Sequence, residues 1–150
     1  MTEFLSWNTH EDSQVTEGII NKWIAAYEQP NTFNWAIEVI EVGEVIGNIT
    51  VVQYEKENSA CEIGYCIGSK FWNKGIATEA LQMVIDFLFS EIGVNRIFAK
   101  YDVLNPASGE VMKKCNMVYE GALRDEDFKN NLFCTLGIYS ILKREWQQSK

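Results

Sequence analysis

At 150 residues and 17.2 kDa the chain has the size of one domain, and 47% hydrophobic with 23% charged residues exclude a disordered one. Thirteen Lys and Arg against 21 Asp and Glu leave a net charge of -8, which repels phosphate backbones and anionic membranes, so no nucleic acid and no membrane are expected as partners, while a basic peptide or an amine would be attracted. No apolar run reaches the length of a membrane span and Met1-Thr2-Glu3 opens no signal peptide, so a cytoplasmic protein is expected.

Thr9-x-x-Asp12 has the form of a capping box, and Val15, Ile19, Trp23 and Tyr27 follow at helical spacing. That helix must stop before Pro30. Residues 33–42 and 45–52 are β-branched runs around Gly43-Glu44 and predict a hairpin, and 60–67 predicts a third strand. A loop with Phe71, Trp72, Lys74 and Gly75 leads into the strongest helical signal, from Ile76 to about Ile92, whose wide apolar stripe implies packing on a sheet. A strand at 95–103 follows. Asn105-Pro106 is an N-cap with proline at the first helical position and opens a short helix to about Cys115. Residues 117–128 and 132–142 then pair around Lys129-Asn130-Asn131. The order α-β-β-β-α-β-α-β-β predicts an α/β mixed sheet of about six strands, with a right-handed crossover between parallel strands 60–67 and 95–103, flanked by antiparallel hairpins.

The four cysteines, Cys61, Cys66, Cys115 and Cys134, form no C-x-x-C pair, and His10 is the one histidine. Reduced core thiols and no metal site are the expectation. Neither G-x-x-x-x-G-K-[ST] nor G-x-G-x-x-G occurs. Trp72-Asn73-Lys74-Gly75-Ile76-Ala77-Thr78 stands instead between a strand and a helix, where backbone N–H groups, the helix dipole and a lysine can converge on a phosphate. Plain turn chemistry at Gly75 explains the same residues.

Glu62-Ile63-Gly64-Tyr65-Cys66-Ile67 followed by Phe71-Trp72-Asn73-Lys74-Gly75-Ile76-Ala77-Thr78-Glu79-Ala80 resembles the acetyl-CoA core of the GNAT N-acetyltransferases, closest to the branch with the ribosomal-protein N-terminal acetyltransferases. Asn105-Pro106-Ala107-Ser108, Met112-Lys113-Lys114-Cys115-Asn116-Met117, Tyr119-Glu120-Gly121 and Tyr139-Ser140-Ile141-Leu142 keep the family's order. Trp72 stands where the superfamily usually has Gln or Arg, and Asn116-Met117 replaces the usual Gly-Phe; Asn tolerates the left-handed turn required there. Relatives carry a further strand and helix before the segment matching Phe4-Leu5-Ser6-Trp7, which this chain does not show, so it is read as a single N-acetyltransferase domain, residues 1–150, with a short N-terminus.

The resemblance implies a GNAT-like acyl-CoA acyltransferase fold with helices on both faces of the sheet. It also implies an enzyme moving an acetyl group from acetyl-CoA to a primary amine, such as a protein N-terminal α-amine, by direct attack in a ternary complex. Pantetheine would lie between splayed parallel strands, bonded to the main chain near Cys66 and Ile67 and touched by Asn105. Pyrophosphate would sit on the loop formed by Trp72, Lys74, Gly75, Ile76, Ala77 and Thr78.

Glu62 alternates with Ala60, Gly64 and Cys66, small company for a carboxylate: it reads as a cross-strand salt bridge or as a general base, and the resemblance favours the base, acting through a water. An N-cap role accounts for Asn105 by itself. Ser108 is the hydroxyl the resemblance places beside the departing thiolate. Tyr139 reads as core packing before it reads as an acid, Tyr65 reads equally as packing, and Cys66 lacks an activating base for a nucleophilic role. Asp125-Glu126-Asp127 reads as a solvated turn approach or a receiver for a cationic substrate. Two other functions fit the chain: a non-catalytic acyl-CoA-binding module, and an acetyltransferase of a small amine. Residues 33–42 should form a sheet edge, apolar on both sides, blunted by Glu38 and Glu41 and without a bulge signal; residues 1–7 fold back over it or a second subunit covers it, and a homodimer is the favoured solution.

Overall fold

The computed structural model describes residues 12–29 and 32–150; Thr9, His10 and the proposed fold-back of residues 1–7 lie outside them. Asp12 caps helix α1 (Ser13–Ala26), its carboxylate accepting the Val15 N–H at 3.0 Å. A six-stranded sheet follows, β1 (Asn34–Val39), β2 (Glu44–Glu55), β3 (Ala60–Ile67), β4 (Arg96–Asp102), β5 (Val118–Lys129) and β6 (Leu132–Leu142), in the order β1-β2-β3-β4-β6-β5. Helix α2 (Ile76–Phe87) carries the crossover from β3 to the parallel strand β4, and α3 (Pro106–Lys114) and α4 (Lys143–Gln148) complete the chain. The mixed sheet flanked by helices is the architecture expected.

Alternation divides β3 and β4 into two faces. Cys61, Ile63, Ile97 and Ala99 are buried in one cluster with Leu81, Ile85 and Leu88 of the α2 segment and Met112 of α3. Each of the isoleucine, leucine and methionine side chains among these contributes about 1.5–3 kcal/mol by leaving water. The other face carries Glu62, Phe98, Lys100 and Ser140.

Three local expectations need correction. The first strand is paired over 34–39 rather than 33–42; Val42 and Gly43 both donate to the Val39 carbonyl, so 40–43 is already the turn. A bulge does interrupt it, between Ile37 and Glu38, and β1 is a sheet edge. The long helix leaves α geometry after Phe87: residues 88–92 form a π turn closed by the Gly93 N–H on the Leu88 carbonyl at 2.9 Å, with Gly93 left-handed. Asp125-Glu126-Asp127 lies in β5 on the approach to the β5–β6 turn, as expected, at an irregularity between Leu123 and Asp127 with Asp125 left-handed. Asn116 is left-handed as expected, and so are Asn130 and Asn131 of the β5–β6 hairpin.

Candidate active site

Strands β3 and β4 pair only through Ala60↔Arg96, Cys61↔Ile97 and Glu62↔Phe98. β3 nevertheless runs on to Ile67 and β4 to Asp102, so beyond Glu62 the two diverge. Strand β2 keeps β3 company throughout. Gly47 makes this possible: a Cβ there would stand 2.2 Å from the Cys66 carbonyl oxygen. That carbonyl is therefore turned to β2. The Gly68 N–H also points to β2, donating to the Ile46 carbonyl, so alternation directs the Ile67 backbone to the open side. The Ile67 carbonyl accepts the Trp72 indole N–H at 2.9 Å, which pins the loop against the strand end.

The opening leads into a cavity of about 330 Å³. Its walls are Tyr65, Cys66 and Ile67 from β3, Phe71, Trp72, Asn73, Gly75, Ala77 and Thr78 from the loop and α2, and Asn105, Ala107, Ser108, Glu110, Val111 and Lys114 from α3. Asn73 and Gly75 are both left-handed, with φ of 58° and 82°. The first backbone N–H of α2 to bond back is that of Glu79, to the Gly75 carbonyl; the N–H groups of Ile76, Ala77 and Thr78 have no partner within the helix. Aligned peptide dipoles add positive potential at this end. The donor set suits a pyrophosphate, and the apolar and small residues between β3 and α3 suit a pantetheine arm.

Cys66, Ile67, Trp72, Gly75, Ala77, Thr78, Asn105 and Ser108 are thus brought together on one cavity. Lys74 and Ile76 are not among its walls. Lys74 lies over the Phe71 ring, 5.4 Å from its centroid, and the Ile76 side chain lines a second groove with Trp35, Met83 and Phe87. Asn105 occupies the N-cap position without capping by its side chain, which is a correction. Its own carbonyl accepts the Ser108 N–H at 3.1 Å, and its amide instead donates to Ser108 Oγ at 3.1 Å. The Ser108 hydroxyl proton is left free to point into the cavity.

Tyr65 donates to the Ser108 carbonyl at 2.8 Å and ties α3 to β3; burial, against the lowering effect of that bond, pushes its hydroxyl well above the ordinary tyrosine range. The Cys66 thiol, raised by burial, donates to Asn48 Oδ1 at 2.9 Å. Both groups are held protonated at neutral pH. Tyr139 packs at a tilt against both Tyr101 and Tyr119, as packing would have it.

Glu62 is not a cavity wall. Its carboxylate lies on the opposite face of β3 from Tyr65, 3.5 Å from Lys100 Nζ, which also stands 3.8 Å from Glu126. Sequence reasoning missed Lys100 and the cavity residue Lys114. The basic last turn of α3 was a signal for Lys114; Lys100 is brought to Glu62 only by the strand pairing.

A family model described as an acetyltransferase (GNAT) domain matches residues 1–118. The chain is 37% identical over 118 residues to the uncharacterized N-acetyltransferase p20 of Bacillus licheniformis, covering 79% of this chain and 65%, just under two thirds, of that one. It is 31% identical over 147 residues to the putative ribosomal N-acetyltransferase YdaF of Bacillus subtilis, covering 98% of this chain and 79% of that protein. The crystal structure of a GNAT-family acetyltransferase from Bacillus anthracis superposes with a TM-score of 0.83 at 27% identity, over 96% of this chain and 82% of that one.

Proposed function

The chain belongs to the GNAT acetyltransferase family, and from that premise we propose that it transfers the acetyl group of acetyl-CoA to a primary amine, with a peptide α-amine as the favoured acceptor. The observation that carries this reading is the cavity itself, which opens where two parallel strands stop pairing and runs from the strand ends to a helix N-terminus rich in free N–H groups. Acetyl-CoA supplies an activated thioester. The N–H groups at the start of α2 hold its pyrophosphate, the Ile67 main chain continues the β3 edge along its pantetheine arm, and Ser108 offers a proton to the thiolate.

The acceptor approaches from the face that carries Glu62. An α-amine has a pKa of about 8, so roughly a tenth of it is neutral at pH 7, and modest help from a base suffices. Glu62 accepts the amine proton through a water. The amine nitrogen then bonds the carbonyl carbon, the C–S bond breaks, the thiolate takes the Ser108 hydroxyl proton, and the second proton shed by the nitrogen returns to Ser108. Likeness to YdaF, a putative ribosomal N-acetyltransferase, favours a ribosomal-protein N-terminus, and the chain's net charge of -8 favours a basic acceptor of either kind, peptide or small amine. Calorimetry tests the binding half: acetyl-CoA should bind saturably, and Gly75→Trp should weaken it at least tenfold by filling the loop. Equal affinity in that variant would put the site elsewhere.

For assembly, we propose a homodimer across the β1 edge. The groove between β1 and α2 is lined by Trp35, Ile37, Val39, Ile76, Met83 and Phe87, Met83 is two-thirds exposed, and an apolar strand edge of this kind is a template for pairing.

A further inference from the structure

We propose that Lys100 is a positioning residue for the acetyl transfer, holding the Glu62 carboxylate in place by charge alone so that its oxygens stay free to take a proton. The inference rests on the reading of Glu62 as the base.

Two carboxylates on the same face of the sheet show the contrast. Glu120 is saturated: it accepts from Arg96 at 2.8 and 2.6 Å and from the Ser140 hydroxyl at 2.7 Å. Its oxygens are committed to structure, and those bonds, Arg96 first, hold its pKa far below the ordinary carboxylate range. Glu62 is more enclosed, its side chain 15% exposed against 41% for Glu120. Yet the partner it has among the described residues is the Lys100 ammonium at 3.5 Å, well beyond the 2.7–2.9 Å of a charge-assisted hydrogen bond.

Nothing else among the described residues around Glu62 can do this work. Its same-face neighbours on β3 are Ala60 and Gly64. Gln53 faces it from β2 but turns its amide to Glu55 at 3.2 Å. Phe98 faces it from β4, with the Arg96 guanidinium 5.6 Å from the Phe98 ring and spent on Glu120. Cys66, further along the same face, donates to Asn48. A carboxylate this enclosed, with no cation beside it, would swing towards water.

Lys100 in turn is kept from closing on Glu62. Glu126 draws it from the other side at 3.8 Å, reaching back across β6 from the irregular stretch of β5 between Leu123 and Asp127. A bulge that re-aims a side chain next to a reaction site is a recurrent use of such an irregularity. Lysine suits the position because it acts as a compact point charge; an arginine fork would bond both carboxylate oxygens and occupy the base.

The test is steady-state kinetics on Lys100→Met and Lys100→Gln, with acetyl-CoA and a cationic peptide amine as substrates. Both variants should keep the wild-type KM for acetyl-CoA and lose about tenfold in kcat, a part of the 10²–10⁴ a general base supplies. Lys100→Arg, which keeps the charge, should also lose kcat. The double variant Glu62→Gln with Lys100→Met should be no slower than Glu62→Gln alone, because a positioning residue has nothing left to position. Wild-type kcat in both neutral variants, full activity in Lys100→Arg, or losses that multiply in the double variant would overturn the proposal. A wild-type protein that transfers no acetyl group would overturn the reading of the reaction itself, and this inference with it. If only Glu62→Gln is as fast as wild type, the assignment of the base falls while the reaction stands.

Discussion

Replacing Gly75 with alanine isolates the backbone geometry on which the phosphate loop depends. Gly75 is left-handed at φ 82° and N-caps α2, and a Cβ there would meet no atom within 4 Å. The substitution therefore costs nothing in packing, and its whole effect is conformational. A left-handed residue with a Cβ costs about 1–2 kcal/mol, partly offset by the roughly 0.4–1 kcal/mol that alanine contributes by restricting the unfolded chain. About 1 kcal/mol remains. If the loop keeps its shape, that amount appears as lost stability, a fall in Tm of about 2–4 °C for a chain of this size, with unchanged affinity for acetyl-CoA. If the loop relaxes to an ordinary φ, the N–H groups turn away, Tm holds, and affinity falls by about fivefold, the binding equivalent of the same energy. Calorimetric melting and titration on the same samples read both. No change in either would refute the argument that the left-handed glycine shapes the binding loop.

Glu62→Gln should retain acetyl-CoA affinity while lowering turnover and removing the acidic limb of the pH profile; the parent rate and profile, measured where chemistry limits turnover, would make Glu62 structural. Glu120 is held down from 4.5 to about 2 by Arg96 first and then by the Ser140 hydroxyl, so its stabilisation is present above pH 4.5 and disappears as pH falls towards 2. The pair is over one third exposed on the Glu120 side, so screening limits the effect to about 1 kcal/mol; Glu120→Gln should lower stability at pH 7 and flatten the acid dependence between pH 4.5 and 2 in denaturant titrations. Sedimentation at micromolar concentration should show a homodimer that Met83→Lys, on the exposed wall of the groove beside β1, converts to monomer; a wild-type monomer would refute the proposed interface.

What was legible in the chain follows from the range of each interaction. Strand β3 and strand β6 are delimited as expected because short, mostly apolar runs flanked by polar turn residues report local backbone preference. The loop-to-helix junction was legible for the same reason: glycine at the helix entrance is local chemistry. Features set by neighbours distant in sequence were not. The bulge in β1 depends on its register with β2, and the end of α2 depends on Gly93 drawing the last turn into i→i+5 bonding. The Lys100–Glu62 pair joins residues on two parallel strands separated by the whole α2 crossover, and Glu126 joins it across β6. Alternation had already put Glu62 among small neighbours, which left its environment open; only the third dimension supplies the lysine. Asn105 shows the converse error, in which a strong local rule for capping gave way to a hydrogen bond with Ser108.

The central claim is acetyl transfer to an amine, and the most direct measurement is release of the CoA thiol from acetyl-CoA across a panel of basic peptides with free N-termini, polyamines and amino acids. The account predicts little release without an acceptor, saturable release with a basic primary amine, a preference for peptide N-termini over N-acetylated controls, and slower release in Glu62→Gln. Saturable binding of acetyl-CoA with no acceptor-dependent release across the whole panel would contradict it and leave an acyl-CoA-binding module.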